Sequence, residues 1–212
     1  IRGPKGTEVR LTFMPEGKAA ERRVVSLIRD EIALDDQAAN KGRIIELTNR
    51  EGASVRLGII DLPSFYAPMG ADEAKKAAQA ANTNRVTSGY ASVDVARWLI
   101  KFKQEKVDGV ILDLRGNGGG VLEEAVRLTG LFIKEGPVVQ AREWTGSVRV
   151  ERDAGPSVVY DGPLLVLTSR FSASASEIVA AALQDYGRAL IVGDTSTHGK
   201  GTVQAVSYLS ML

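Results

Sequence analysis

Three turns of this 212-residue chain carry residues whose types and spacing could do chemistry. The first is Ser169-Arg170-Phe171-Ser172-Ala173-Ser174-Ala175-Ser176-Glu177, with serines at alternate positions and small residues between them. A serine between a strand and a helix, with neighbours small enough to let a substrate approach, has the logic of a nucleophile elbow, here with Ser172-x-Ser174-x-Ser176 in place of Gly-x-Ser-x-Gly. The same residues spell Ser174-x-x-Glu177, a capping box, and a serine there needs no catalytic task. Two side chains could activate a hydroxyl in this turn. His198 is the only histidine, and its distance in sequence does not exclude a Ser–His arrangement. Lys200 lies in Gly199-Lys200-Gly201. A desolvated lysine beside a hydroxyl falls from a pKa of about 10.4 toward roughly 7–8 and becomes an amine able to take the proton.

The other two turns are glycine-rich. Asp113-Leu114-Arg115-Gly116-Asn117-Gly118-Gly119-Gly120 can point backbone N–H groups at an anionic guest, but Val121 stands where a dinucleotide fingerprint needs glycine. Gly193 to Thr202 invites comparison with a P-loop and fails twice. Five residues rather than four separate Gly193 from Gly199, and Gly201 replaces the Ser/Thr that would hold Mg²⁺.

These turns need elements to position them. Alternation over Thr7 to Met14, a turn at Pro15 to Lys18, and a run through Val25 and Leu27 predict a hairpin, the second run also scoring as helix. Polar, alanine-rich Asp35 to Gly42 reads as a boundary. A second hairpin is expected over Arg43–Thr48 and Ser54–Leu62, then helices at Asp72–Ala81 and Ser92–Lys103 separated by a loop at 82–89. From Gly109 the order is strand (Val110–Leu114), glycine loop, helix (Leu122–Leu131), strands at Val138–Ala141 and Leu164–Thr168, helix (Ala173–Tyr186), strand (Ala189–Val192), loop, and strand (Thr202–Leu209). Such alternation indicates α/β layering with parallel pairs.

Composition narrows the classes. Lys and Arg number 27 against 26 Asp and Glu, a net charge of +1 with no long block of one sign, which argues against a nucleic-acid binder. No cysteine means no disulfide, thiolate metal site or cysteine nucleophile, and a single histidine leaves no multi-histidine zinc site. No run of 18 apolar residues is present. The opening Ile1-Arg2-Gly3-Pro4 and the apolar run Val206 to Leu212 read as the cut ends of a fragment.

Asp113-Leu114-Arg115-x-Asn117-x-Gly119-Gly120, Phe171 to Ile178, Gln184-Asp185-Tyr186-Gly187-Arg188-Ala189 and Gly199-Lys200-Gly201-Thr202-Val203-Gln204 together resemble the carboxyl-terminal processing peptidases, specifically the tail-specific proteases of Gram-negative bacteria. The resemblance covers nearly everything after Arg43, and Ile1 to Leu11 looks like the last part of the PDZ domain that precedes the protease core in this family. It implies a crotonase/Clp-protease-like α/β core with a twisted sheet and packed helices over 36–212, and a PDZ remnant with linker over 1–35. It also implies Ser174 as nucleophile, Lys200 as general base and Gln204 as the residue that positions the lysine. Ala175 and Gly118 or Gly119 are implied as N–H donors of the oxyanion hole.

No cofactor or metal is implied. The implied partner is a protein or peptide with an apolar carboxyl-terminal tail, with an adaptor lipoprotein, peripheral membrane association and a periplasmic location as further expectations. Asp185 matches a family position, but eleven helical residues put it about 16 Å along the axis from Ser174, so it is read as structural. Two departures stand out: a longer loop before Lys200, with His198 where an aromatic is usual, and a longer Met69 to Tyr90 stretch that reads as a lid or contact segment. A silent peptide-binding scaffold and a crotonase-like acyl-transfer enzyme remain alternative readings.

Overall fold

The computed structural model describes residues 3–14, 21–30, 42–68, 89–153, 155 and 158–204. The expected helix at 72–81, nearly all of the 69–90 segment and positions 205–209 of the last expected strand fall outside them. The chain divides into two units, Ile1–Asp36 and Gln37–Leu212.

In the first unit, β1 (Glu8–Phe13) and β2 (Arg23–Ile28) form an antiparallel hairpin with Glu8 opposite Ile28 and Phe13 opposite Arg23. The run that could be scored as helix is a strand. Val24, Val25 and Ile28 are β-branched, and β1 supplies the ladder that a lone helix would have to replace.

The second unit holds β3 (Arg43–Thr48), β4 (Ser54–Asp61), α1 (Ala91–Gln104), β5 (Gly109–Asp113), α2 (Leu122–Gly130), β6 (Gly136–Arg142), β7 (Val148–Asp153), β8 (Leu164–Thr168), α3 (Ala175–Asp185) and β9 (Leu190–Gly193). It is a mixed α/β fold. The five-stranded sheet runs β3-β4-β5-β8-β9, antiparallel between β3 and β4 and parallel everywhere else. The hairpin of β6 and β7 stands as a separate two-stranded sheet. β7 is missing from the sequence expectation. Its signal is the alternation Val148-Arg149-Val150-Glu151 after a turn at Thr145-Gly146, and charges at every second position hid it.

One face of the central strands makes the core. Val110 and Leu112 of β5, with Leu164 and Val166 of β8, are buried, while Ile111, Leu165 and Leu167 between them are only half-buried. Ala91, Val95, Leu99 and Phe102 recur at the spacing of one helical face on α1, and Ala125 and Leu128 of α2 and Val179 and Leu183 of α3 join the same cluster. Truncating a fully buried ring such as Phe102 to alanine costs about 3–5 kcal/mol. Two expected boundaries move. α3 begins at Ala175 rather than Ala173, and Thr202–Gln204 carry no strand.

Candidate active site

In a parallel sheet the strands end on one side, and the loops after β4, β5, β8 and β9 leave from that side and bond to one another. Asn117, fully buried in the glycine loop after β5, is their junction. Its Nδ2 donates to the Leu62 carbonyl at 2.8 Å, and its Oδ1 accepts the Gly119 amide at 2.8 Å. Its own carbonyl accepts the Ala173 amide at 3.1 Å and the Ser176 hydroxyl at 2.9 Å. Leu62, Asn117 and Ala173 are thereby locked by neutral hydrogen bonds away from water, where leaving one partner unmet costs about 1–3 kcal/mol.

This network sorts the three serines. Ser172, fully buried, donates to the Leu114 carbonyl at 2.7 Å and accepts the Ser169 amide, and Ser176, also fully buried, is held by Asn117. Ser174 alone is half-buried, and its hydroxyl donates to no group among the described residues. Its backbone lies at φ 56°, ψ −113°. The expected capping box is formed, the Ser174 oxygen facing the Glu177 amide and Glu177 accepting the Ser174 amide, but an ordinary N-cap is extended, so the box does not by itself account for this conformation. Strain of this kind costs on the order of 1–3 kcal/mol and persists only where the surroundings over-determine it. Ser174 sits on a sharp turn between β8 and α3, as a nucleophile elbow requires.

The glycine loop runs alongside. At Gly119, φ +105°, a Cβ would stand 2.8 Å from both the Ser174 Cβ and the Ala173 carbonyl oxygen; at Gly120, φ +146°, it would stand 2.3 Å from the Phe65 carbonyl oxygen. Only glycine permits this approach. Of the two loop glycines expected to donate to an oxyanion, Gly119 has its amide committed to Asn117. Among the described residues no hydrogen bond engages the amides of Gly118, Gly120 or Ala175.

Glu177, read in the sequence only as half of a capping box, does much more. Its Oε2 accepts the Ser174 amide at 2.7 Å and the Lys200 amide at 3.1 Å; its Oε1 accepts the Thr197 hydroxyl at 2.7 Å and the Gly199 amide at 2.5 Å. Burial pushes this carboxyl's pKa up, but the four donors outweigh it and hold the group below the usual glutamate value. Because one oxygen serves both amides, the backbones of Ser174 and Lys200 lie side by side.

The remaining expected residues are placed less tightly. Lys200 is exposed, and its ammonium makes no hydrogen bond or ion pair among the described residues. Gln204, also exposed, donates to Thr202 Oγ1 at 3.3 Å rather than to Lys200, so the two are not brought together here. His198 is exposed and contributes only its amide, which donates to the Ser172 carbonyl at 3.0 Å. Asp185 ends α3, exposed, and lines a cleft of 420 Å³ with Val138, Gln140, Val150 and Tyr186, away from the serine turn. Arg188 of the same motif is a strut. Its guanidinium donates to the carbonyls of Phe132, Tyr160 and Gly162 at 3.1, 2.9 and 2.8 Å between the Phe132 and Tyr160 rings. Among the described residues no cluster of His, Asp and Glu could hold a metal ion.

The profile of Peptidase family S41 matches residues 56–211, which takes in all three turns. The chain belongs to this family. It is 41% identical, over its full length, to the tail-specific protease of Haemophilus influenzae, and 33% identical over 99% of its length to the carboxyl-terminal-processing protease of Synechocystis. It spans 26% and 42% of those two proteins. Among solved structures it is similar to a photosystem II D1 C-terminal processing protease, with a TM-score of 0.63 and 25% identity over 99% of this chain and 49% of that one. The S41 match and the serine elbow meet at the same loops.

Proposed function

We propose that this S41 chain is the core of a serine endopeptidase that uses Ser174 and Lys200 to cleave proteins bearing apolar carboxyl-terminal tails. The observation that carries the reading is Ser174 itself: of the three serines it alone has an uncommitted hydroxyl proton, on a strained turn whose backbone runs beside that of Lys200. The neutral amine of Lys200 takes the hydroxyl proton as Oγ attacks a peptide carbonyl carbon. The oxyanion rests on the Ala175 amide and a glycine-loop amide, Gly118 or Gly120, since that of Gly119 is occupied. The C–N bond breaks, the leaving amine takes the proton, and water hydrolyses the acyl ester on Ser174. Gln204 orients the lysine once the two meet.

The names of the relatives, tail-specific and carboxyl-terminal-processing, support the substrate class. In this reading the core is crotonase-like, residues 1–35 are the end of a PDZ domain that captures the tail, and the protein works in the periplasm, at the membrane surface or with an adaptor lipoprotein. The test is cleavage of a protein with an apolar tail by the full-length enzyme, beside Ser174→Ala and Lys200→Ala. Loss of cleavage in both variants is expected; equal cleavage by wild type and Ser174→Ala would sink the dyad. A silent scaffold is the second reading, favoured by the exposed Lys200 and the turned-away Gln204, and it requires that the full-length protein cleave nothing.

A further inference from the structure

We infer that Glu177 is a positioning residue that fixes the lysine loop against the serine turn, an inference that rests on the Ser174–Lys200 reading above. A carboxylate offers about four lone-pair sites, and four donors of the chain itself fill them: one from the serine turn, the Ser174 amide, and three from the lysine loop, the Thr197 hydroxyl and the amides of Gly199 and Lys200. Other described bonds anchor the loop after β9 at Asp194, which accepts the Arg170 amide at 2.9 Å, and at His198. Neither reaches Lys200. Glu177 is the described group that joins the backbone of the proposed base to that of the proposed nucleophile.

Saturation also limits what else Glu177 can bind, since a carboxylate with open lone pairs this close to Lys200 could accept its ammonium directly. With its lone pairs taken by backbone and hydroxyl donors, Glu177 holds the loop without drawing the lysine side chain into a salt bridge, and Lys200 Nζ makes none among the described residues. Glutamine cannot substitute. It keeps the size, but one end is an NH₂ that would face N–H donors where the carboxylate accepts.

The experiment compares the full-length wild type with Glu177→Gln and Thr197→Val, measuring kcat and KM on an apolar-tailed protein, and hydrogen exchange of peptides spanning 194–204 and 113–121. Glu177→Gln should lower kcat about 100-fold with KM changed by less than about threefold, since misplacing a catalytic group by about 1 Å has effects of this size. Exchange over 194–204 should quicken at least about tenfold while 113–121 stays protected. Thr197→Val should shift both readouts the same way by less, and add nothing on top of Glu177→Gln. Wild-type exchange over 194–204 in Glu177→Gln, or a kcat loss that merely tracks the folded fraction, overturns the inference. If Glu177→Gln does not fold, unchanged exchange and kcat in Thr197→Val overturn it. Should Ser174→Ala still cleave, the protease reading fails on its own, and the exchange data continue to report on the clamp.

Discussion

The serine turn and the lysine loop belong to one candidate site and are held by different physics. Around Ser174 the fasteners are neutral and buried: Asn117, Ser172 and Ser176 tie the loops after β4, β5 and β8 together. Around Lys200 the fasteners are carboxylates, the half-buried Glu177, which also holds the Ser174 amide, and the exposed Asp194. The serine side therefore has one titrating fastener, the Glu177 bond to the Ser174 amide, among several that do not titrate. The lysine loop depends on the ionised Glu177 for three of its bonds, which makes it the part that acid can release.

The largest effect expected is from Ser174→Ala, a loss of about 10⁴-fold or more in kcat/KM with stability lowered by no more than about 0.5–2 kcal/mol, the cost of a lost helix cap, because the hydroxyl's one described role in the fold is in the capping box. Asn117→Leu comes next. It strands the Leu62 carbonyl and the Gly119 amide in the interior and should lower stability by about 2–5 kcal/mol in denaturant unfolding, the loss falling on the serine side. Acid should act on the other side. Since Glu177 is held below the ordinary glutamate value, its contribution is complete above about pH 4.5 and is lost as pH falls through the depressed folded-state value. Exchange over 194–204 should therefore quicken below about pH 4.5 before exchange over 113–121 does; simultaneous release would erase the distinction between the two regions. The smallest effect is His198→Phe, within about threefold in kcat/KM, because only the His198 amide is used. A thousand-fold loss would restore a histidine base.

Much of the serine side is legible in sequence because it is local. Strand, small residues, Ser-x-x-Glu and helix lie within one short stretch, and the glycine loop announces a close approach. The unusual φ at Ser174 is not wholly local in origin: Asn117 grips Ala173 and Ser176 on either side of it, while Glu177 holds the Ser174 amide. Sequence spacing also left Gly118 and Gly119 equivalent as donors, and only the Asn117 side chain folding back on Gly119 separates them. The strand expected from Thr202 fails at 202–204 because alternation supplies a pattern but not a partner strand.

By itself, the sequence determined most of the order of strands and helices, β7 and 202–204 apart, with the serine turn, the glycine approach and membership of a peptidase family, all matters of short-range pattern and residue type. The tertiary structure decided which serine keeps a free proton, which glycine amide is occupied, and that Glu177 joins two segments more than twenty residues apart. Those outcomes depend on which polar groups meet when loops from four strands converge, and a hydrogen-bond partner brought by folding leaves no mark in the spacing of residues along the chain.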